Sequence, residues 1–286
     1  MRYLVTGGAG FLGSYLCDYL IGRGDSVLCL DNYTTGSIEN IKHLLSNINF
    51  DFIEWNVSNY FDVQRIDGIF HLASITDPVK CKKNVVATLE ANIQGTRNLL
   101  QLSLNLDIPL LFASSIRVLD FNINGCYSEG KKVGEILCNE YKSKIARMGN
   151  VYGPRMDKND GRVIPTFIRN ALKNDPIYIL GDGSQIDSFC YYTDIVDGLY
   201  KFMNSSYSGV IEFGSSESIT ILNLAKLIIK QYNSKSIILF SGNNSVRSIV
   251  DISKAKEVLN WNPEIDILQG LKKMVIQNLR IYKNEL

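Results

Sequence analysis

Tyr127 and Lys131 stand four residues apart in the run Tyr127-Ser128-Glu129-Gly130-Lys131. On a helix that spacing sets both side chains on one face, a turn apart. A free phenol ionises near pH ~10, and a neighbouring ammonium favours its phenolate. A phenolate so placed can take the proton of a hydroxyl while hydride leaves the same carbon for a bound acceptor. Ser114 and Ser115 precede the pair and could donate a hydrogen bond to the reacting oxygen, with Ser115 preferred. A Tyr-x-x-x-Lys run is common on surface helices, so its meaning rests on what else the chain carries.

The acceptor is legible near the N-terminus, in Thr6-Gly7-Gly8-Ala9-Gly10-Phe11-Leu12-Gly13. Gly7 permits a tight turn, Gly10 lets backbone approach a pyrophosphate, and Gly13 allows close packing of helix on strand. The helix that opens at Phe11 and Leu12 offers unpaired N–H groups to phosphate. Asp31 lies eighteen residues beyond Gly13. A carboxylate there accepts hydrogen bonds from adenosine ribose and repels a 2′-phosphate, so the expected cofactor is NAD rather than NADP. Asn32 follows it in the cofactor site. Asn56 reads equally as an adenine contact or a turn residue. Leu72, Ala73 and Ser74 should border the cofactor where it crosses the sheet edge, and His71 reads more simply as a core histidine.

These residues need strands and helices in alternation. Strands are expected at Arg2–Thr6, Ser26–Leu30, Phe50–Trp55, Gly68–Ala73 and Ile108–Ala113. Helices are expected at Phe11–Gly22, weakly at Ile38–Leu45, and at Val85–Leu104 and Tyr127–Tyr141. That order predicts an α/β fold, a Rossmann-type doubly wound parallel sheet covered on both faces. Residues 1–150 would form the NAD-binding domain. Residues 151–286 would form a smaller mixed α/β substrate lobe, interleaved with the first as one rigid unit. Its helices are expected at Val163–Lys173, Asp194–Met203, Ile221–Tyr232 and Ser253–Val258, with a strand at Pro176–Leu180.

Composition narrows the function. With 286 residues, 45% of them hydrophobic and 21% charged, the chain can bury a real core. A formal net charge of +1 gives no global attraction to nucleic acid or an anionic membrane. No apolar run nears the roughly 18 residues of a membrane span. The N-terminus enters its Gly-rich turn too early for a signal peptide, so a cytoplasmic enzyme is expected. The six cysteines form no Cys-x-x-Cys, and only His43 and His71 could join them, so no metal site is expected and the thiols read as packed and reduced.

Further stretches carry a resemblance: Gly7 to Ser14 (GGAGFLGS), Leu30 to Gly36 (LDNYTTG), His71 to Ser74 (HLAS), Asn92 to Leu99 (NIQGTRNL) and Cys126 to Lys131 (CYSEGK). Asn150 to Met156 (NVYGPRM), Asp160 to Val163 (DGRV), Gly181 to Gln185 (GDGSQ), Ser188 to Tyr191 (SFCY) and Asp251 to Lys256 (DISKAK) continue it in the same order. Together they resemble the extended short-chain dehydrogenase/reductase family that modifies nucleotide sugars. The texture is closest to UDP-glucuronate decarboxylases, with dTDP-glucose 4,6-dehydratases and UDP-glucose 4-epimerases further off. The resemblance implies a nucleotide-sugar substrate held by Asn150, Arg162, Val163, Gln185 and Arg247. It places Asn92 near the nicotinamide. It also implies a homodimer through the Val85–Leu104 and Tyr127–Tyr141 helices.

The departures concern the sugar. Where the family ends its fifth strand with Thr-Ser-Glu or Thr-Asp-Glu, this chain reads Ser114-Ser115-Ile116-Arg117. A guanidinium cannot serve as the base that the lost carboxylate would be. Only 11 residues, Ile116 to Cys126, separate Ser115 from Tyr127, which shortens the loop before the catalytic Tyr. Asp187 replaces an Arg expected near the diphosphate, and Leu180 replaces a Tyr. The expected function is therefore an NAD-dependent enzyme acting at C4 of a nucleotide sugar, with oxidoreduction or epimerisation favoured over dehydration. The alternatives are a catalytically weak NAD-binding partner protein and a related enzyme with a non-nucleotide substrate.

Overall fold

Leu4, Val5, Ile69, Phe70, Leu111 and Phe112 lie in runs too short for helices and apolar on successive residues, so both faces of each run must be covered. The structure, a computed structural model, describes residues 1–120, 125–157, 159–242 and 250–284, with 277–284 described by backbone alone. The first half runs β1 (Arg2–Thr6), α1 (Phe11–Gly22), β2 (Ser26–Asp31), β3 (Phe50–Glu54), β4 (Gly68–His71), α2 (Pro78–Lys83), α3 (Val85–Glu90), α4 (Thr96–Leu106), β5 (Leu110–Ser115), α5 (Cys126–Glu140), β6 (Lys144–Met148) and β7 (Asn150–Tyr152). The second half runs α6 (Val163–Lys173), β8 (Ile177–Leu180), β9 (Ile186–Asp187), β10 (Phe189–Tyr191), α7 (Tyr192–Met203), β11 (Gly209–Phe213), β12 (Ile219–Thr220), α8 (Ile221–Gln231), β13 (Ile238–Ser241), α9 (Ser253–Leu259) and α10 (Ile267–Asn284).

Seven strands form one parallel sheet in the order β11-β6-β5-β4-β1-β2-β3. The order reverses between β1 and β4, so the loops that leave these strands diverge and open a crevice at their carboxyl ends. This is the expected doubly wound sheet, but its last strand, β11, comes from the second half of the chain. A second apolar cluster, including Ile164, Phe167, Ile177, Leu224, Ile228 and Leu271, lies among α6, β8, α8 and α10. The halves meet along α1 and α7, where Tyr15 stacks on Tyr192 at 3.6 Å between ring centroids and the Tyr19 hydroxyl donates to Asp197 at 2.9 Å.

Several expectations need correction. The stretch Val85–Leu104 is not one regular helix. A wider π turn, Ala91–Gly95, separates α3 from α4. Three side chains explain it, because each bonds the carbonyl four residues back: Thr88 Oγ1 to Asn84 O at 2.8 Å, Asn92 Nδ2 to Thr88 O at 2.9 Å and Thr96 Oγ1 to Asn92 O at 2.6 Å. Such bonds compete with the regular ladder and loosen it. The weak helix around Ile38–Leu45 is two short 3₁₀ turns. The helices α2 and α10 and the strands β6, β7 and β9 to β13 were not anticipated.

One charged network fastens the sheet to α5. Glu135 is 6% exposed and accepts from Ser114 Oγ at 2.5 Å and from Arg147 Nε and Nη2 at 2.9 and 2.7 Å. Arg147→Met leaves this carboxylate buried without its cation, at a cost of about 3–5 kcal/mol. The expected outcome is a clear fall in denaturation midpoint, largely restored in the Glu135→Leu/Arg147→Met double variant. A double variant no more stable than the single one would show that the network is not what fails.

Candidate active site

The crevice between β1 and β4 is built by close backbone approach. Gly7 has a φ of +72°, and a Cβ on it would lie 2.7 Å from the amide nitrogen of Ala73. A Cβ on Gly13 would lie 2.1 Å from the carbonyl oxygen of Gly7. Neither position admits a side chain. Gly10 caps α1 with no side-chain hydrogen bond, and the helix's first turn holds no acidic residue. Its leading N–H groups are thus left for an anion. Gly7, Gly10, Phe11, Leu12, Gly13, Leu72, Ala73 and Ser74 all line the cleft.

Asp31 lies at the end of β2, also on the cleft. Its carboxylate accepts from the backbone N–H of Ala9 at 3.0 Å and of Tyr33 at 2.8 Å. Burial pushes its pKa up, and these N–H bonds oppose that rise. The carboxylate therefore fixes the glycine turn and keeps lone pairs for ribose hydroxyls. Asn32 and Asn56 line the cleft, and each accepts from the N–H two residues on, Thr34 at 3.1 Å and Ser58 at 3.1 Å. Asn56 is thus a turn residue that also borders the cleft. His71 is fully buried, with Nδ1 2.8 Å from Thr6 Oγ1 and Nε2 3.1 Å from Thr96 Oγ1. Burial, with the Lys131 charge, pushes it down to about 3, so it is a neutral core residue.

The chemical corner forms where β5 meets α5. Successive side chains alternate across a strand. Ser114 accordingly turns inward to Glu135, whereas Ser115 meets Tyr127 through a hydroxyl–phenol hydrogen bond. Burial raises the Tyr127 pKa, while the Ser115 bond and the charges of Arg162 and Arg117 lower it. Lys131, 2% exposed, donates to the Ala113 carbonyl at 2.7 Å and lies 4.5 Å from the Phe112 ring centroid. Burial pushes its pKa down to about 7. Gly130 and Gly134 let α5 come this close: a Cβ on Gly134 would lie 2.5 Å from Phe112 Cζ.

Asn92 packs behind this corner, against Gly130 of α5. It is wholly buried beneath it, its Nδ2 bonded to Thr88 O, and it is not among the cleft-lining residues. The π turn holds its side chain against α5, where Gly130 faces it.

The opposite wall comes from the second half. Asn150, Arg162, Val163 and Gln185 line the same cleft. Asn150 Nδ2 donates to Ser188 O at 3.1 Å, and Gln185 Nε2 to Asp187 at 3.0 Å. Arg162 grips Asp160 through Nε at 2.9 Å and Nη2 at 2.5 Å. Arg247 lies outside the described residues. Two cleft residues were missed. Asp77 caps α2 and accepts the Gly161 N–H at 3.0 Å, joining the two walls. Its signal was present, since Asp77-Pro78 is a helix-start pair. Arg155 pairs with Asp18 at 2.7 Å and lies 4.2 Å from the Tyr15 ring centroid.

The cleft encloses about 1660 Å³. A single drug-sized ligand takes roughly 300–1,000 Å³, so there is room for a dinucleotide and a second molecule. The glycine cradle, the open helix end and Asp31 fit NAD. No described helix is long and apolar enough to cross a membrane, and no cluster among the described residues could hold a metal ion.

Residues 3–212 match the NAD dependent epimerase/dehydratase family. UDP-glucuronic acid decarboxylase 1 of Arabidopsis thaliana is 38% identical over 301 residues, covering 96% of this chain and 69% of that protein. UDP-glucuronic acid decarboxylase 1 of Danio rerio is 37% identical over 300 residues, covering 96% of this chain and 72% of that protein. Among solved structures, UDP-glucose 4-epimerase of Thermotoga maritima superposes with a TM-score of 0.88 at 27% identity, covering 99% of this chain and 100% of that one. UDP-glucuronic acid 4-epimerase from Bacillus cereus, solved in complex with NAD, gives 0.86 at 27% identity, covering 99% and 98%.

Without NAD, the depressed pKa of Lys131 becomes a stability term. From its ordinary 10.5 it falls to about 7 in the fold, so between these values the unfolded chain binds more protons and stability rises with pH. Lys131→Met should flatten that rise and raise the melting temperature of the cofactor-free protein at pH 7. A gain of 1 kcal/mol corresponds to about 2–4 °C. Scanning calorimetry from pH 6 to 10 reads both, and an unchanged slope would mean that Lys131 stays fully protonated.

Proposed function

This chain belongs to the NAD dependent epimerase/dehydratase family, and on that footing we propose that it acts at C4 of a nucleotide-activated sugar, oxidising the hydroxyl there and reducing the ketone that results. NAD, its cofactor, supplies the hydride acceptor and returns the hydride. Tyr127 takes the C4 hydroxyl proton and gives one back on reduction. Ser115 donates to the same oxygen and orients the phenol. Lys131 holds the nicotinamide ribose, and its ammonium favours the phenolate. Gly7, Gly10, Gly13, Phe11 and Leu12 receive the pyrophosphate, and Asp31 the adenosine ribose. Asn32, Asn56, Leu72, Ala73 and Ser74 border the cofactor. Asn150, Arg162, Val163 and Gln185 face the sugar nucleotide.

The observation that carries this reading is the contact of Ser115 with Tyr127, one helical turn from Lys131, on a cleft with room for two molecules. C4 chemistry needs no further acid. Proton transfer at C5 would, and the residues after Ser115 are Ile116, 7% exposed in the core, and Arg117. Epimerisation or plain 4-oxidoreduction is therefore favoured over dehydration. Decarboxylation stays as the second reading, favoured by the relatives at 38 and 37% identity. A 4-keto-uronate is a β-keto acid and loses carbon dioxide once oxidised. The exposed apolar residues Val86 (68%) and Ile136 (61%), on α3 and α5, support pairing with a second copy through these helices.

Incubation with NAD and a panel of uridine and thymidine diphosphate sugars, followed by NMR of the products, tests the reading. Inversion at C4 or a 4-keto product is expected. Tyr127→Phe should lower kcat by about 10²–10⁴-fold with NAD affinity retained. Equal turnover by Tyr127→Phe would remove the phenol from the chemistry.

A further inference from the structure

Arg117 stands two residues beyond Ser115 and, like Tyr127, lines the cleft. The 3₁₀ turn Ile116–Leu119 fixes its backbone, with the Arg117 N–H bonded to Ser115 Oγ at 3.2 Å. The residue that carries the oxygen donor thus also sets where Arg117 begins. Its positive charge acts on the Tyr127 phenol, so the guanidinium lies within electrostatic reach of the reacting position.

Four other cations of the cleft are already matched. Arg162 is bonded to Asp160, Arg155 to Asp18 at 2.7 Å, and Lys80 to Asp157 at 2.7 Å. Lys131 is bonded to the Ala113 carbonyl. Among the described residues, the Arg117 side chain has no hydrogen-bond or ion-pair partner. A planar fork of donors left unmatched on this cleft is complementary to a carboxylate, which it can bind through two parallel hydrogen bonds.

We propose that Arg117 is a specificity-determining residue that selects an anionic sugar, its guanidinium pairing with a carboxylate carried by the sugar ring of the nucleotide-linked substrate. This rests on the C4 reading above. It makes the substrate a nucleotide-linked uronic acid, and it gives the cation at residue 117 a purpose: it meets a carboxylate on the ligand. Close to the phenol, the same cation also favours ionisation of Tyr127 while the carboxylate partly balances it. The pair would leave the diphosphate, held elsewhere in the cleft, untouched.

The test is calorimetric binding to the NAD-saturated protein of UDP, UDP-glucose and UDP-glucuronate, with the thymidine series in parallel. A charge-assisted hydrogen bond contributes about 1.5–3 kcal/mol, which is roughly a 10- to 100-fold preference for the uronate over the neutral hexose. In Arg117→Gln that ratio should fall to within about 3-fold. In Arg117→Lys, which keeps the charge and loses the fork, it should fall to an intermediate value. The lysine variant decides the matter if the glutamine variant does not fold.

Equal wild-type affinity for the two sugars overturns the proposal while leaving the C4 reading in place. So does a preference that survives in Arg117→Gln, or a uniform loss that includes UDP alone, which would make Arg117 a diphosphate ligand. Binding of NAD with no affinity for any sugar nucleotide overturns both readings together.

Discussion

An ammonium buried against the sheet, one turn from a phenol on the same helix, is the constraint that organises the centre of this molecule. Lys131 is nearly without solvent, and burial alone pulls its pKa towards neutrality. What keeps it there is a carbonyl from the end of β5 and the face of Phe112. Both are reached only because α5 presents glycine at 130 and 134 to its neighbours. The π turn follows from the same crowding. It lets Asn92 and Thr96 bond inward while α3 and α4 remain packed on α5. Sheet, helix and turn are thus all adjusted so that one amine and one phenol meet the crevice at the strand switch.

The crevice has two walls from distant parts of the chain, and polar contacts hold them together. Asp77 at the head of α2 accepts from Gly161, Lys80 on the same helix meets Asp157, and Arg155 reaches back to Asp18 on α1. The two exposed side chains of the Lys80–Asp157 pair contribute little to stability by themselves. Their value is geometric, since each ties the loop before α6 to the half that carries the glycine cradle. A wall fixed in this way can hold a sugar against Tyr127 at a defined depth.

The parts of this design that follow from local chemistry were legible in the sequence. Gly7 and Gly13 leave no space for a Cβ, and such positions announce themselves as glycine. Tyr127 and Lys131 share a helix face by spacing alone. β6 and β11 were harder to read. Lys144-Ile145-Ala146-Arg147-Met148 carries two cations in a central strand, which patterning alone disfavours. Their partners lie far along the chain: Lys144 bonds the carbonyls of Ser205 and Tyr207, and Arg147 meets Glu135 and Glu212. No local window contains those answers. The burial of Asn92 was hard to read for a similar reason, because its side chain follows a helical irregularity that no periodicity displays.

The alternation along β5 shows how a small change in register divides labour. Ser114 and Ser115 are chemically alike and adjacent, yet the first bonds into the buried Glu135–Arg147 network and the second meets Tyr127. Had the strand ended one residue earlier, the fold would have taken the hydroxyl that now meets Tyr127. Because β5 pairs Ser115 with Met148 at its last rung, the next residues turn at once into the 3₁₀ segment. Ile116 is then driven into the core and Arg117 out towards the cleft. Arg117 lies just where the chain escapes the sheet, and the charge there acts on the Tyr127 phenol.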